Sequence, residues 1–138
     1  MNMVDTRTRI EKLSRDECVR LLATEEVGRI GVVVARHPHV MPVNYVLDGE
    51  AIVFRTDIGT KLDGMTRSPI AFEVDHFDRQ ERRGWSVVVH GWAHEVTALD
   101  APGLLDRVGA LPLDTWVPGE QPYLVRLAPL SITGRRIG

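Results

Sequence analysis

The stretch VMPVNYVLDGEAIVFRTDIGTKL, Val40 to Leu62, holds the pattern on which the fold turns. Two apolar, β-branched runs flank Asp48-Gly49, a dipeptide that readily takes the positive φ of a tight turn. Val40–Leu47 and Ala51–Thr56 are therefore predicted to form a hairpin. Pro42 removes one ladder donor from the first strand and marks an edge or a gap there. At the end of the second strand stand Arg55 and Thr56, and just past it come Gly59, Thr60 and Lys61. Arg55 brings a planar fork, Lys61 a point charge and the threonines hydroxyl donors, which together suit a phosphate. A helix starting near Thr60 would add its free N–H groups and dipole. The same residues also suit a solvated strand end with a capping threonine, and the residues alone leave both readings open.

Outward from this hairpin, further strands are predicted at Arg29–Val34, Ile70–Val74, Trp85–Val96 and Tyr123–Ile132, from β-branched runs and apolar alternation. Arg36-His37-Pro38-His39 is expected to be a turn, and Asp75–Gly84 a charged loop. Gly91 inside its strand predicts a bulge or bend. Ser14-Arg15-Asp16-Glu17 fits a capping box ahead of a short helix carrying Cys18, Leu21 and Leu22 on one face. A second helix is expected from Asp100-Ala101-Pro102, with Leu104, Leu105, Val108 and Leu111 on one side. Met1–Lys12 lacks a period and is expected to be a flexible or partner-docked arm. The sum is one domain over residues 1–138, mainly β with some α: a six-stranded antiparallel barrel with short capping helices.

The chain has 138 residues, 43% hydrophobic and 26% charged, with a net charge of −2. That balance gives no reason to expect nucleic acid or an anionic membrane as partner. No apolar run is long enough to span a bilayer and no signal-like segment opens the chain, so a cytoplasmic protein is expected. The single Cys18 excludes an internal disulfide framework.

Other candidate chemistry is sparse. Alternation puts Trp85, Val87, Val89 and Gly91 on one face of their strand and Ser86, Val88, His90 and Trp92 on the other. One tryptophan could wall a pocket while the other packs in the core, or both could be structural. His90 and His94 share a face but lie about 13 Å apart at strand rise, too far to chelate one ion. His37 and His39 flank a proline with no third ligand nearby, so no metal site is expected. Glu73 and Asp75 share a strand face without other marks of an acid–base pair. No dinucleotide fingerprint, phosphate-binding loop or nucleophile elbow is present, and no catalytic residue is assigned.

Taken together, MPVNYV, FRTDIGTKL and FEVDHFDRQERRGWSVVVHG resemble, in order and spacing, the pyridoxamine 5′-phosphate oxidase-like group of the FMN-binding split-barrel superfamily. The likeness runs from about Leu13 to Val96 and continues weakly to YLVRLAPLSITGRR. It implies a six-stranded split barrel and a homodimer with flavin between subunits. By position, Arg55, Thr56, Thr60 and Lys61 are similar to the group's phosphate and ribityl contacts. Pro42, Val43 and Asn44 resemble the strand along the flavin ring, and Trp85 and Ser86 the contribution of a further strand. Trp116 matches no motif of the group, and its Pro/Gly loop could close over the site from a partner subunit. The late arginine–histidine motif of true pyridoxamine phosphate oxidases is absent, which argues against vitamin B6 oxidation. The small members that this chain resembles more closely include nitroimidazole-reductase-like flavin proteins. The resemblance thus implies an FMN-dependent oxidoreductase exchanging hydride with a small organic substrate. The alternatives are a non-enzymatic flavin- or haem-binding sensor and a deazaflavin-dependent reductase; as an axial haem ligand, His37, His39 or His90 would serve.

Overall fold

The computed structural model describes residues 9–57 and 59–138, with the backbone only over residues 59–62. Seven strands and three helices follow in the order β1 (Ile10–Lys12), α1 (Arg15–Leu22), β2 (Val27–Val34), β3 (His37–Asp48), β4 (Ala51–Thr56), α2 (Gly59–Arg67), β5 (Ile70–Asp78), β6 (Arg83–Glu95), α3 (Leu104–Gly109) and β7 (Tyr123–Ile137). The strands run β7-β4-β3-β2-β5-β6, and β6 pairs back to β7, so six strands close a ring and β1 is appended to β7. Every pairing is antiparallel.

Alternation along each strand fills the barrel. Ile30, Ile52, Phe54, Phe72, Val74, Val87, Val89 and Leu127 are fully buried, and Trp85 joins them at 9% exposure. Part of the outer surface is apolar too. Val53, Val96 and Leu124 lie under Val108 of α3 in a second small core. Asp48 fastens this helix down, accepting hydrogen bonds from Arg107 and from Arg126, the latter at 2.9 Å. Those two guanidinium groups, Arg107 foremost, hold the Asp48 carboxyl below its ordinary range.

The predicted hairpin is present, with its turn one residue later than the Asp-Gly pattern suggests. Asp48 pairs with Ala51, and Gly49, at φ +61°, is the first central residue. Glu50 keeps a negative φ, so the loop needs left-handed backbone only at the glycine. The turn expected at Arg36–His39 instead occupies Ala35 and Arg36, both at positive φ, and His37 already pairs with Val34. Pro38 is tolerated inside β3 for a geometric reason. The Tyr45 N–H donates toward β2, to the Glu26 carbonyl at 3.1 Å. Backbone polar groups alternate sides along a strand, so those of residues 38, 42 and 44 turn away from β2. Neither proline of β3 therefore costs that pair a ladder bond.

Other expectations shift at their ends. The charged loop is shorter than predicted: Asp75 to Asp78 remain in β5, and Asp78 pairs with Arg83. The Asp78 carboxylate accepts the N–H groups of Gln80 and Glu81, which closes that turn. Of the arm, residues 1–8 lie outside the described region, and Ile10–Lys12 is a strand rather than a loose segment. β7 outruns β4, and β1 covers the edge thus exposed, pairing with Arg135–Ile137. Ser14 caps α1 by accepting the Glu17 N–H at 3.2 Å. Helix α3 starts at Leu104, because the Asp100 carboxylate instead accepts the Thr97 N–H. Among the described residues no helix is long and apolar enough to cross a membrane.

The bulge expected at Gly91 is present, as a register shift between His90 and Gly91 against β7. A Cβ there would stand 2.1 Å from the Ala128 carbonyl oxygen, a backbone atom that no rotamer change can move. Gly91→Ala should therefore destabilise the barrel by on the order of 1–3 kcal/mol, the range for overpacking. A thermal melt followed by circular dichroism should show the midpoint falling by several degrees, and an unchanged midpoint would mean the bulge relaxes freely.

Candidate functional site

Strands β3 and β4 stay paired only from Tyr45–Phe54 to Asp48–Ala51. Beyond Tyr45 the first half of β3 follows β2, whereas Arg55 and Thr56 follow β7, pairing with Leu124 and Tyr123. The two strands thus part and leave a wedge. One lip carries the outward backbone groups of Pro42 and Asn44, and the other carries Arg55, Thr56 and Asp57. A cavity of about 320 Å³ occupies this wedge, and Thr115, Trp116, Val117 and Gln121 roof it.

Five of the residues expected at the site meet here: Pro42, Val43, Asn44, Arg55 and Thr56 all line the cavity. Thr56 is buried at 5% exposure. Thr60 and Lys61 lie in the first turn of α2, whose start at Gly59 agrees with the helix expected there. Their side chains lie outside the described residues. Trp85 and Ser86 are not brought to the wedge within one protomer. They sit on β6, which borders β5 and β7, and they face opposite ways. Trp85 turns into the core, while Ser86 lines a separate surface cavity with Lys12, Thr133 and Arg135.

The wedge has an ordered roof that the sequence did not assign. The Trp116 N–H donates to Asn44 Oδ1 at 2.7 Å, and Asn44 Nδ2 donates to the Glu26 carbonyl at 3.4 Å. Arg55 Nη1 makes a long contact of 3.5 Å with the Gln121 carbonyl. The Trp116 loop therefore closes over the wedge of its own chain, whereas the sequence also allowed it to close over a partner's. The Pro/Gly composition identified a loop, but only the strand register shows which strands it crosses.

Beside the wedge runs a charged row also missed in sequence. Pro42 pairs with Arg29 of β2, and Arg29 with Glu73 of β5. Arg29 Nη1 reaches Glu73 Oε1 at 3.4 Å and Asp75 Oδ1 at 3.5 Å. Burial, and then the adjoining Asp75, push the Glu73 carboxyl up to about 7 against the opposing pull of Arg29. His76 Nδ1, on the opposite face of β5 near its end, lies 3.4 Å from Glu25. Among the described residues no three His, Cys, Asp or Glu side chains converge as metal ligands.

Comparison with known proteins agrees with this fold. The family model described as pyridoxamine 5′-phosphate oxidase matches residues 14–136, and the chain belongs to that family. It is 34% identical over 134 residues to the uncharacterized protein Rv0080 of Mycobacterium tuberculosis, spanning 93% of this chain and 86% of the relative. Among solved structures, an FAD-binding protein from Mycobacterium smegmatis is 33% identical with a TM-score of 0.67, over 92% of this chain and 97% of that one. A Corynebacterium glutamicum protein provisionally assigned as a pyridoxamine 5′-phosphate oxidase superposes with a TM-score of 0.78 at 32% identity, again over 92% and 97%. The split-barrel fold follows from these likenesses, with the short β1 added to its six-stranded ring.

The charged row carries a pH dependence of known sign. A carboxyl raised from 4.5 to about 7 on folding binds protons that the unfolded chain has released, so stability is fully present below about pH 4.5 and falls as pH rises to about 7. Glu73→Gln should remove that slope. Urea midpoints at pH 5 and pH 8 should show the variant gaining on the wild type at the higher pH. Equal shifts at both would refute the assignment.

Proposed function

We propose that the chain is a flavin-binding oxidoreductase, that the wedge between β3 and β4 is its cofactor site, and that FMN is the cofactor. The lapse in β3–β4 pairing is the observation that carries this reading. It sets the outward-facing backbone of Pro42 and Asn44 on one side of a cavity whose other side carries Arg55 and Thr56, so one cavity offers a flat, hydrogen-bonding lip and a cationic one. A planar heterocycle bearing a phosphate needs that pairing of features. The start of α2 beside Thr56 adds the donor end of a helix, with Thr60 and Lys61 in its first turn. Pro42, Val43 and Asn44 would orient the ring, while Arg55 and Lys61 would balance the phosphate. When bound, the flavin supplies hydride exchange with a small organic substrate.

A homodimer completes this reading. Ser86 faces outward like Asn44 but lies three strands away round the ring, so it reaches a cofactor only if a second copy supplies it. Val33 and Val40, exposed at 55% and 75%, give the outer face of β2 and β3 an apolar surface for such a copy to cover. We place the protein in the cytoplasm, with no nucleic acid or membrane as partner.

FAD is the second reading, favoured by the FAD-binding relative from Mycobacterium smegmatis, a third identical along nearly the whole chain. Chromatography and mass spectrometry of flavin released from the purified protein would separate FMN from FAD. The absorbance spectrum would expose a deazaflavin or a haem Soret band, and turnover with a nicotinamide donor would divide an enzyme from a sensor. The doubly substituted Arg55→Ala, Lys61→Ala protein should bind FMN at least tenfold more weakly while binding riboflavin, which lacks the phosphate, about as before, since each charge-assisted bond contributes roughly 1.5–3 kcal/mol. Undiminished FMN affinity in a folded double variant would refute the phosphate assignment.

A further inference from the structure

Trp116 lies 62% exposed on an irregular loop, without a core position to explain it. Its place is nonetheless set. The loop segment from Pro112 to Pro122 contains three prolines and Gly119 at φ +102°, and it crosses the mouth of the wedge. Two tethers come from opposite lips: Asn44 accepts the Trp116 N–H, and Arg55 reaches the Gln121 carbonyl. Trp116 is also a wall of the larger neighbouring cavity, about 540 Å³, lined by Thr24, Glu25, Arg29 and Asp75. Val27 and Trp116 are common to both spaces. Trp116 thus lies between the two spaces, with room on either side.

Resting on the flavin reading above, we propose that Trp116 is a further cofactor-binding residue, its indole lying against the planar occupant of the wedge, and that Asn44 is the residue that positions it. The side-chain amide of Asn44 is committed on both ends, to the Trp116 N–H and to the Glu26 carbonyl. Its contribution toward a ring is therefore made by the backbone, and its amide serves to fasten the roof. An indole and a flat heterocycle have matching faces and low rotamer entropy, so their stacking is favourable and tolerant of ring substitution. Filling the wedge from the Arg55 lip would exchange the long Gln121 contact for the occupant, while the Asn44 tether persists.

Flavin emission is the direct probe, because an electron-rich indole in contact with a flavin quenches it. The full chain should be titrated with FMN and with riboflavin, following emission and affinity, for the wild type, Trp116→Leu, Asn44→Ala and the double variant. Bound flavin should be dark in the wild type. In Trp116→Leu it should be several-fold brighter, with affinity for both ligands reduced roughly tenfold, as expected for losing one stacked aromatic. Asn44→Ala should brighten the flavin in the same way and add little in the Trp116→Leu background. A folded Trp116→Leu protein as dark and as tight as the wild type overturns the proposal. So does an Asn44→Ala effect that adds in full to it. A wild type that takes up neither ligand overturns the FMN reading and this inference together, and flavin uptake with unaltered Trp116→Leu behaviour overturns this inference alone.

Discussion

The molecule depends on β3 having two different partners along its length. Up to Asn44 it follows β2, and only from Tyr45 onward does it also hold β4. Tyr45 is where the change of partner is fixed. Its N–H is bonded to Glu26, its hydroxyl donates to the carbonyl of Leu22 at the end of α1, and its ring stands edge-on to Phe72 at 4.9 Å. Burial, foremost, and the nearby Glu25 push the phenol of this residue upward, so it remains a neutral donor across the physiological range. A strand pair anchored this firmly at one end can part at the other without loosening the barrel.

The two prolines of β3 follow from the same constraint. A proline in a fully paired central strand would leave a carbonyl across the ladder without its donor. Here residues 38 and 42 point their missing donors away from β2, toward the side that β4 does not reach. The opening is thus written into the backbone, and it does not rely on side chains to prop it apart. Gly28 serves the inner face of the same region: the Phe72 ring lies where its Cβ would be, 2.3 Å from that position.

Much of this was legible in the sequence. The Asp48-Gly49 pattern located the hairpin, Pro42 marked an edge or a gap, Gly91 marked a bulge or bend, and strand alternation set Trp85 and Ser86 on opposite faces without saying which faced inward. What could not be read was anything depending on register between distant strands. That Arg29 stands between Pro42 and Glu73 follows from β2 pairing with both β3 and β5, and no local pattern encodes it. The same holds for Trp116, whose partner Asn44 is 72 positions away. Turn placement erred where a side chain had other work. Asp48 looked like a turn residue but binds two arginines, and Asp100 looked like a helix start but closes the turn before it.

β7 bears on how the chain reaches this state. It is the last strand, it seals the ring against β6, and it holds Arg55 and Thr56 through Tyr123 and Leu124. The β2–β3–β4 meander has short-range contacts, which favour early formation, whereas the cationic lip of the wedge gains its backing only when the C-terminal strand arrives. On a growing chain made from the N-terminus onward, half the site therefore exists before the other half has support. The order of synthesis completes the wedge only in a barrel that has already closed.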